Sequence, residues 1–117
     1  MGYDVHITRS QHWLDAEENP ITLHAWQSYV GSDTEMRLDK VAVARDATGT
    51  PVLACENEGL AVWFAWTRHE PEGNMAWFVW QQGEIIVKNP DSEILAKMKL
   101  IAAALGAFVV GDDGEHY

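Results

Sequence analysis

The sequence predicts an α+β fold: a single, mostly antiparallel sheet with two helices packed on one face, built by one domain spanning residues 1–117. Three observations predict it. Apolar residues alternate with polar ones at period two near the N-terminus. A meander of short strand candidates, separated by turn residues, fills the middle. Two other segments carry apolar residues at helical spacing behind capping residues. A chain of 117 residues is long enough to bury one sizeable core and too short for two ordinary domains.

Tyr3 to Arg9 places Tyr3, Val5 and Ile7 on one side and Asp4, His6 and Thr8 on the other, as a half-buried strand does. Ser10 to Pro20 is polar and irregular, with Trp13 and Leu14 as its anchors onto the core. Thr22 is placed to cap a helix in which Leu23, Trp26, Tyr29 and Val30 share a face, with Gly31 as its stop. Asp33 to Leu38 predicts a further short turn capped by Asp33. The meander then runs through Val41–Ala47, Val52–Glu56, Leu60–Thr67, Met75–Gln81 and Glu84–Lys88. Gln82-Gly83 has the chemistry of a two-residue hairpin turn. Asn89 is read as a cap with Pro90 at the first helical position, and Asp91 and Glu93 lie in the first turn. Ile94, Leu95, Met98, Ile101, Ala102 and Leu105 form the apolar stripe of that helix, with Lys97 and Lys99 on its outer side. Gly106 ends it, Phe108 to Val110 is a last short strand, and Gly111 to Tyr117 is an acidic tail.

The central strands raise a question about the sheet's second face. As extended strands, both Trp63 to Trp66 and Trp77 to Trp80 alternate aromatic residues onto both sides. A sheet with one wet face would not be built this way, so a loop, a partner or a ligand is expected against the second face.

Composition narrows the function. Hydrophobic residues make up 47% of the chain and charged residues 22%, which is globular rather than disordered usage. Eight Lys and Arg stand against 18 Asp and Glu, a net charge of −10. This argues against nucleic-acid binding, which needs clustered cations, and against docking on an anionic membrane. It fits solubility or a basic partner. Cys55 is the one cysteine, so no internal disulfide forms, and a buried inert thiol is its expected state. No signal-like or membrane-spanning stretch is present in the sequence, so the cytoplasm is the expected compartment.

No catalytic signature stands out. The histidines His6, His12, His24, His69 and His116 lack zinc spacing, although His6 and His12 are near enough in sequence to approach one spot. Asp112-Asp113-Gly114-Glu115 lacks the alternating ligands of a calcium loop. No metal or cofactor is expected. Glycine-rich phosphate-binding patterns are absent from the sequence as well.

Both ends carry a resemblance. Met1-Gly2-Tyr3-Asp4-Val5-His6-Ile7-Thr8-Arg9 with Trp13, Ile21-Thr22-Leu23, Trp26 and Tyr29-Val30 open the chain. Val87-Lys88-Asn89-Pro90-Asp91, Lys97-Met98, Leu105-Gly106-Ala107 and Gly111-Asp112-Asp113-Gly114-Glu115 close it. Together they resemble a group of small uncharacterised bacterial proteins, some of which resemble toxin-immunity proteins. The resemblance covers about two thirds of the chain, transfers no catalytic residue, and implies a protein partner.

Two functional expectations follow. The first is an acidic, immunity-like intracellular binding protein that occludes a basic, toxin-like protein by steric and electrostatic means. Its expected contact residues are the carboxylates Glu56, Glu58, Glu70 and Glu72 and the tryptophans Trp63, Trp66, Trp77 and Trp80. The alternative is a small-molecule or enzymatic site at the aromatic sheet face, using His6, His69 or a nearby carboxylate.

Overall fold

The computed structural model describes residues 3–39, 41–45, 47–48, 51–56, 58–70, 73 and 75–117, with backbone alone for 41–45 and 51–56. The strands are β1 (Asp4–Thr8), β2 (Met36–Leu38), β3 (Val41–Arg45), β4 (Pro51–Glu56), β5 (Leu60–Trp63), β6 (Ala76–Gln81), β7 (Glu84–Lys88) and β8 (Phe108–Gly111). The helices are α1 (Leu23–Ser32) and α2 (Ser92–Leu105), with a 3-10 helix at Trp13–Glu18.

The fold is α+β. Six strands form an antiparallel sheet in the order β2-β5-β6-β7-β1-β8. The N-terminal strand therefore lies inside the sheet, between β7 and β8. Its alternation of faces is realised, with Val5 and Ile7 under the helices and Asp4, His6 and Thr8 facing the other way, but it is not half-buried: His6 and Thr8 are buried as well. Gln82 and Gly83 both adopt positive φ, at 51° and 85°, and make the tight turn between β6 and β7.

The meander is built differently from the sequence expectation. β5 pairs with β2, and β3 and β4 pair only with each other in a separate two-stranded ribbon. That ribbon is an excursion between β2 and β5, closed where the Asp39 N–H donates to the Leu60 carbonyl at 2.9 Å. Asp33 to Leu38 is accordingly a turn only in its first half and a strand in its second. Met36 points into the core and Arg37 out of it. Three residues give a single alternation, too little for a period to be read. β5 also stops at Trp63, because 64–68 turn away, so the expected strand to Thr67 is cut short.

Both helices cover one face. Trp26 and Val30 of α1 and Ile94, Met98, Ile101 and Ala102 of α2 join Val5, Ile7, Ala61, Phe78, Ile85 and Val87 in one core. Leu105 is only half-buried at its margin. Thr22 caps α1 by accepting from the Ala25 N–H at 3.1 Å. The cap of α2 is Asp91, not Asn89: its Oδ1 accepts from the Ile94 N–H at 2.8 Å. Asn89 instead takes φ 47° and ties the N-terminus down, its Oδ1 accepting from the Tyr3 N–H and its own N–H donating to the Tyr3 carbonyl, both at 2.8 Å. At the far end Gly106 adopts the left-handed conformation that closes a helix, and Arg9 Nε donates to the Leu105 carbonyl at 2.9 Å.

Lys97 corrects a second expectation. It lies inward, 7% exposed, where Nζ donates to Asp33 at 2.7 Å and Glu35 at 3.2 Å and sits 5.7 Å from the Trp63 ring. Tyr29 donates to the same Asp33 carboxylate at 2.6 Å. Burial would push the Asp33 carboxyl up, but Lys97, Tyr29 and the Glu35 N–H together hold it below its usual range. The network ties the turn after α1 to α2, so Lys97 serves the junction rather than the surface.

Candidate functional site

Strand register builds the most distinctive cluster. His6 pairs with Ile86 on β7 and with Val110 on β8. Two residues away along each neighbour, and so on the same face, stand Glu84 and Asp112, the diagonal partners of His6. The ring meets both: Nδ1 lies against Glu84 Oε1, and Nε2 is 2.9 Å from Asp112 Oδ1. His6 is 2% and Glu84 6% exposed, so this imidazole and carboxylate are interior groups. Burial alone would lower the His6 pKa, but the hydrogen bonds and charges of Glu84 and Asp112 outweigh it and hold the ring protonated above its ordinary range. The same bond, from the other side, holds the Asp112 carboxyl down.

Trp13 completes the cluster. Its ring stacks on His6 with centroids 4.5 Å apart and planes 4° from parallel, and its Nε1 donates to the Asp112 carbonyl at 3.1 Å. Trp13 thus anchors its segment as expected, but onto His6 and Asp112 rather than onto the core, whereas Leu14 is 69% exposed and Ala16 is buried instead. His6 and His12 both lie near Trp13, whose ring centroid is 4.5 Å from that of His6 and 6.0 Å from that of His12.

Around this cluster lies a cavity of about 370 Å³ lined by Asp4, His6, Trp13, Glu17, Glu84 and Asp112 among others. A larger groove of about 840 Å³ adjoins it, lined by Leu60, Trp77, Val79 and Ile86 of the second sheet face and reaching round past Trp66 and Ala76 to Ile94 of α2, with Asp4, Arg68, Lys88 and Asp91 adding two charges of each sign. The two share Asp4, Gln81 and Ile86, so the aromatic groove and the acidic cavity are neighbours.

The residues expected to contact a partner divide among several environments. Trp66 and Trp77 line the groove, and Trp66 Nε1 donates to Asp91 at 3.0 Å. Trp63 is 7% exposed on the helix side, its Nε1 donating to Glu35 at 3.1 Å, so it packs the core instead of a surface. Trp80 also faces the helices, donates to the Ile21 carbonyl at 2.8 Å and packs over Gly59, where a Cβ would meet the Trp80 Cβ at 2.4 Å. Glu58 and Glu70 are exposed. Glu72 lies outside the described residues, as do the side chains of Glu56 and Cys55 on β4. His69 is half-buried and does not line the cavity around His6.

Comparison of the chain with models of known families, with curated proteins and with solved structures finds no match. Among the described residues, no helix is long and apolar enough to cross a membrane.

The pairing of Glu84 and Asp112 with His6 is the feature the sequence reading missed. The alternation of β1 set His6 apart from Val5 and Ile7. Only the insertion of β1 between β7 and β8 brings the two carboxylates to it.

Proposed function

We propose that the chain is an intracellular, immunity-like binding protein that takes a basic segment of a protein partner along the second face of its sheet and blocks that partner sterically. One observation carries this reading: an aromatic groove lies beside a cavity lined by four carboxylates, those of Asp4, Glu17, Glu84 and Asp112. The net charge of −10 supplies long-range attraction. Trp66 and Trp77 supply the short-range grip, tryptophan being enriched among the residues that dominate binding energy. Exposed Glu58 and Glu70 belong to the steering field.

A display library of short peptides, selected on the whole protein, tests it. Enriched sequences are expected to pair Lys or Arg with apolar residues, to bind more weakly as salt rises, and to lose affinity for Trp77→Ala. Enrichment of acidic sequences, or unchanged affinity for Trp77→Ala, would reject it.

The His6 cluster favours a second reading, a small-molecule or enzymatic site, because the cavity volume lies within the range of small-ligand sites. In that reading Asp112 must first leave Nε2, since both ring nitrogens are engaged. A metabolite mixture that stabilises the protein but not His6→Gln would select this reading over the first.

A further inference from the structure

Asp112 is one of the points at which the C-terminal segment is held to the sheet, beside the Val110–His116 bridge. Its Oδ2 accepts from the Asp4 N–H at 2.9 Å, its own N–H donates to the Asp4 carbonyl at 3.1 Å, and its carbonyl accepts from Trp13. Beyond it the chain folds back along β8, with the Tyr117 N–H donating to the Val109 carbonyl and the Gly111 N–H to the Glu115 carbonyl. The 3-10 helix leans on the same point through Trp13. Both segments therefore meet at Asp112, the residue that His6 Nε2 engages, and His116 Nε2 adds a contact between them at 2.7 Å from the Gln11 carbonyl.

We propose that His6 is a proton-operated clasp: when protonated it fastens the Asp112–Tyr117 segment and the Trp13 helix onto the sheet, and when neutral it releases them and opens the cavity. The reason lies in donor count. An imidazolium donates from both nitrogens, whereas a neutral ring has one donor and one lone pair. Without the proton, one nitrogen faces a carboxylate oxygen lone pair to lone pair. Glu84 sits on an interior strand and is almost wholly buried, while the Asp112 side chain is 33% exposed beyond the end of β8. Asp112 is therefore the partner that yields.

Glu84 on β7 and Asp112 after β8 meet the ring directly, while Asp4 on the same strand and Glu17 of the 3-10 helix line the cavity around it and His12 lies against Trp13. The charges of Glu84 and Asp112 favour the protonated ring. The folded state therefore binds this proton more tightly than an unfolded chain, whose histidines titrate near about 6.5. The clasp is fully closed below that value and is lost as pH rises through the raised value of the folded state.

The experiment is NMR on the full chain, following the His6 ring nitrogens and amide exchange together. The His6 midpoint is expected above about 6.5. Protection factors at Gly111, Asp112 and Tyr117 should fall by up to about tenfold per pH unit through that midpoint, while those of Phe78 and Ile101 hold. Asp112→Asn keeps the Glu84 contact and so the fold; in it the midpoint should move toward the ordinary value and protection at Tyr117 should lose its pH dependence. A His6 that titrates at its ordinary value, or Tyr117 protection that stays flat while His6 titrates, would overturn the proposal.

Discussion

The two faces of the six-stranded sheet are made from alternate residues of the same strands, yet they differ in kind. On the helix side Val5, Ile7, Phe78 and Ile85 are at most 1% exposed and meet α1 and α2 in an apolar core. On the other side the neighbouring positions hold Asp4, His6, Glu84 and Lys88 beside Trp77 and Ile86, and the surface is hollowed into a cavity and a groove. Buried polar groups are costly unless paired, and here His6 and Glu84 are paired with each other. The helix-side face packs one apolar core, whereas the other combines buried apolar residues at Leu60, Val62 and Val110 with polar contacts and a concave surface. The strand period sorts the side chains, since a one-residue step moves a side chain from one face to the other, and the two helices decide which face is covered.

Ile85 and Ile86 test that contrast most directly, being the same residue type at adjacent positions. Ile85 is fully buried and Ile86 half-buried. Ile85→Ala should cost about 2–5 kcal/mol in denaturant unfolding, the range for a large-to-small change in a packed core. Ile86→Ala should cost less than half as much. Equal losses would mean that the second face is as tightly packed as the first.

Lys97 probes the buried charge at the junction of α1 and α2. Lys97→Ala should cost about 3 kcal/mol, because it strips the cation from Asp33 and removes packing against Trp63. Lys97→Met, which keeps the stem, should cost less. If both are equally damaging, the charge rather than the packing holds the junction, and a double-mutant cycle with Asp33→Asn would measure it.

Asp91 joins the two regions, capping α2 and accepting from Trp66 at the groove. Asp91→Ala should cost about 1 kcal/mol, as the loss of an N-cap does. The backbone N–H of Ile94 is the main reason its carboxyl lies below the usual range, with Trp66 adding to the effect against some burial. Asp33 and Asp112 are lowered too. A lowered carboxyl contributes stability above its unfolded value and loses it as pH falls through the folded one. Thermal midpoints should therefore drop as the medium is acidified below pH of about 4, and less steeply in Asp91→Asn.

The smallest effect belongs to the exposed acids. Glu58→Lys with Glu70→Lys should change stability by under about 0.5 kcal/mol, as exposed charges do. The same pair should slow association with a basic partner and flatten its salt dependence. A large loss of stability would show that these loops are structural rather than steering.

The sequence by itself determined the α+β class, the strand at Asp4–Thr8, the Gln82-Gly83 turn, the Thr22 cap and the apolar stripe of α2. All are local: a period, a turn pair or a cap is complete within a few residues, so its physics can be read along the chain. Other features were decided only by tertiary structure. Trp63 and Trp80 read the same as Trp66 and Trp77 until β5 ends and the helices claim one side of the hairpin. Lys97 looks like a solvated charge until Asp33 and Glu35 arrive from α1's end, more than 60 residues away. β2 is too short to reveal a period, and its pairing with β5 displaces the expected meander. His6, Glu84 and Asp112 become one cluster because β1 inserts between β7 and β8. Separations of 78 and 106 residues carry no local signal; it is the burial of apolar faces that selects the strand order, and the order that brings the charges together.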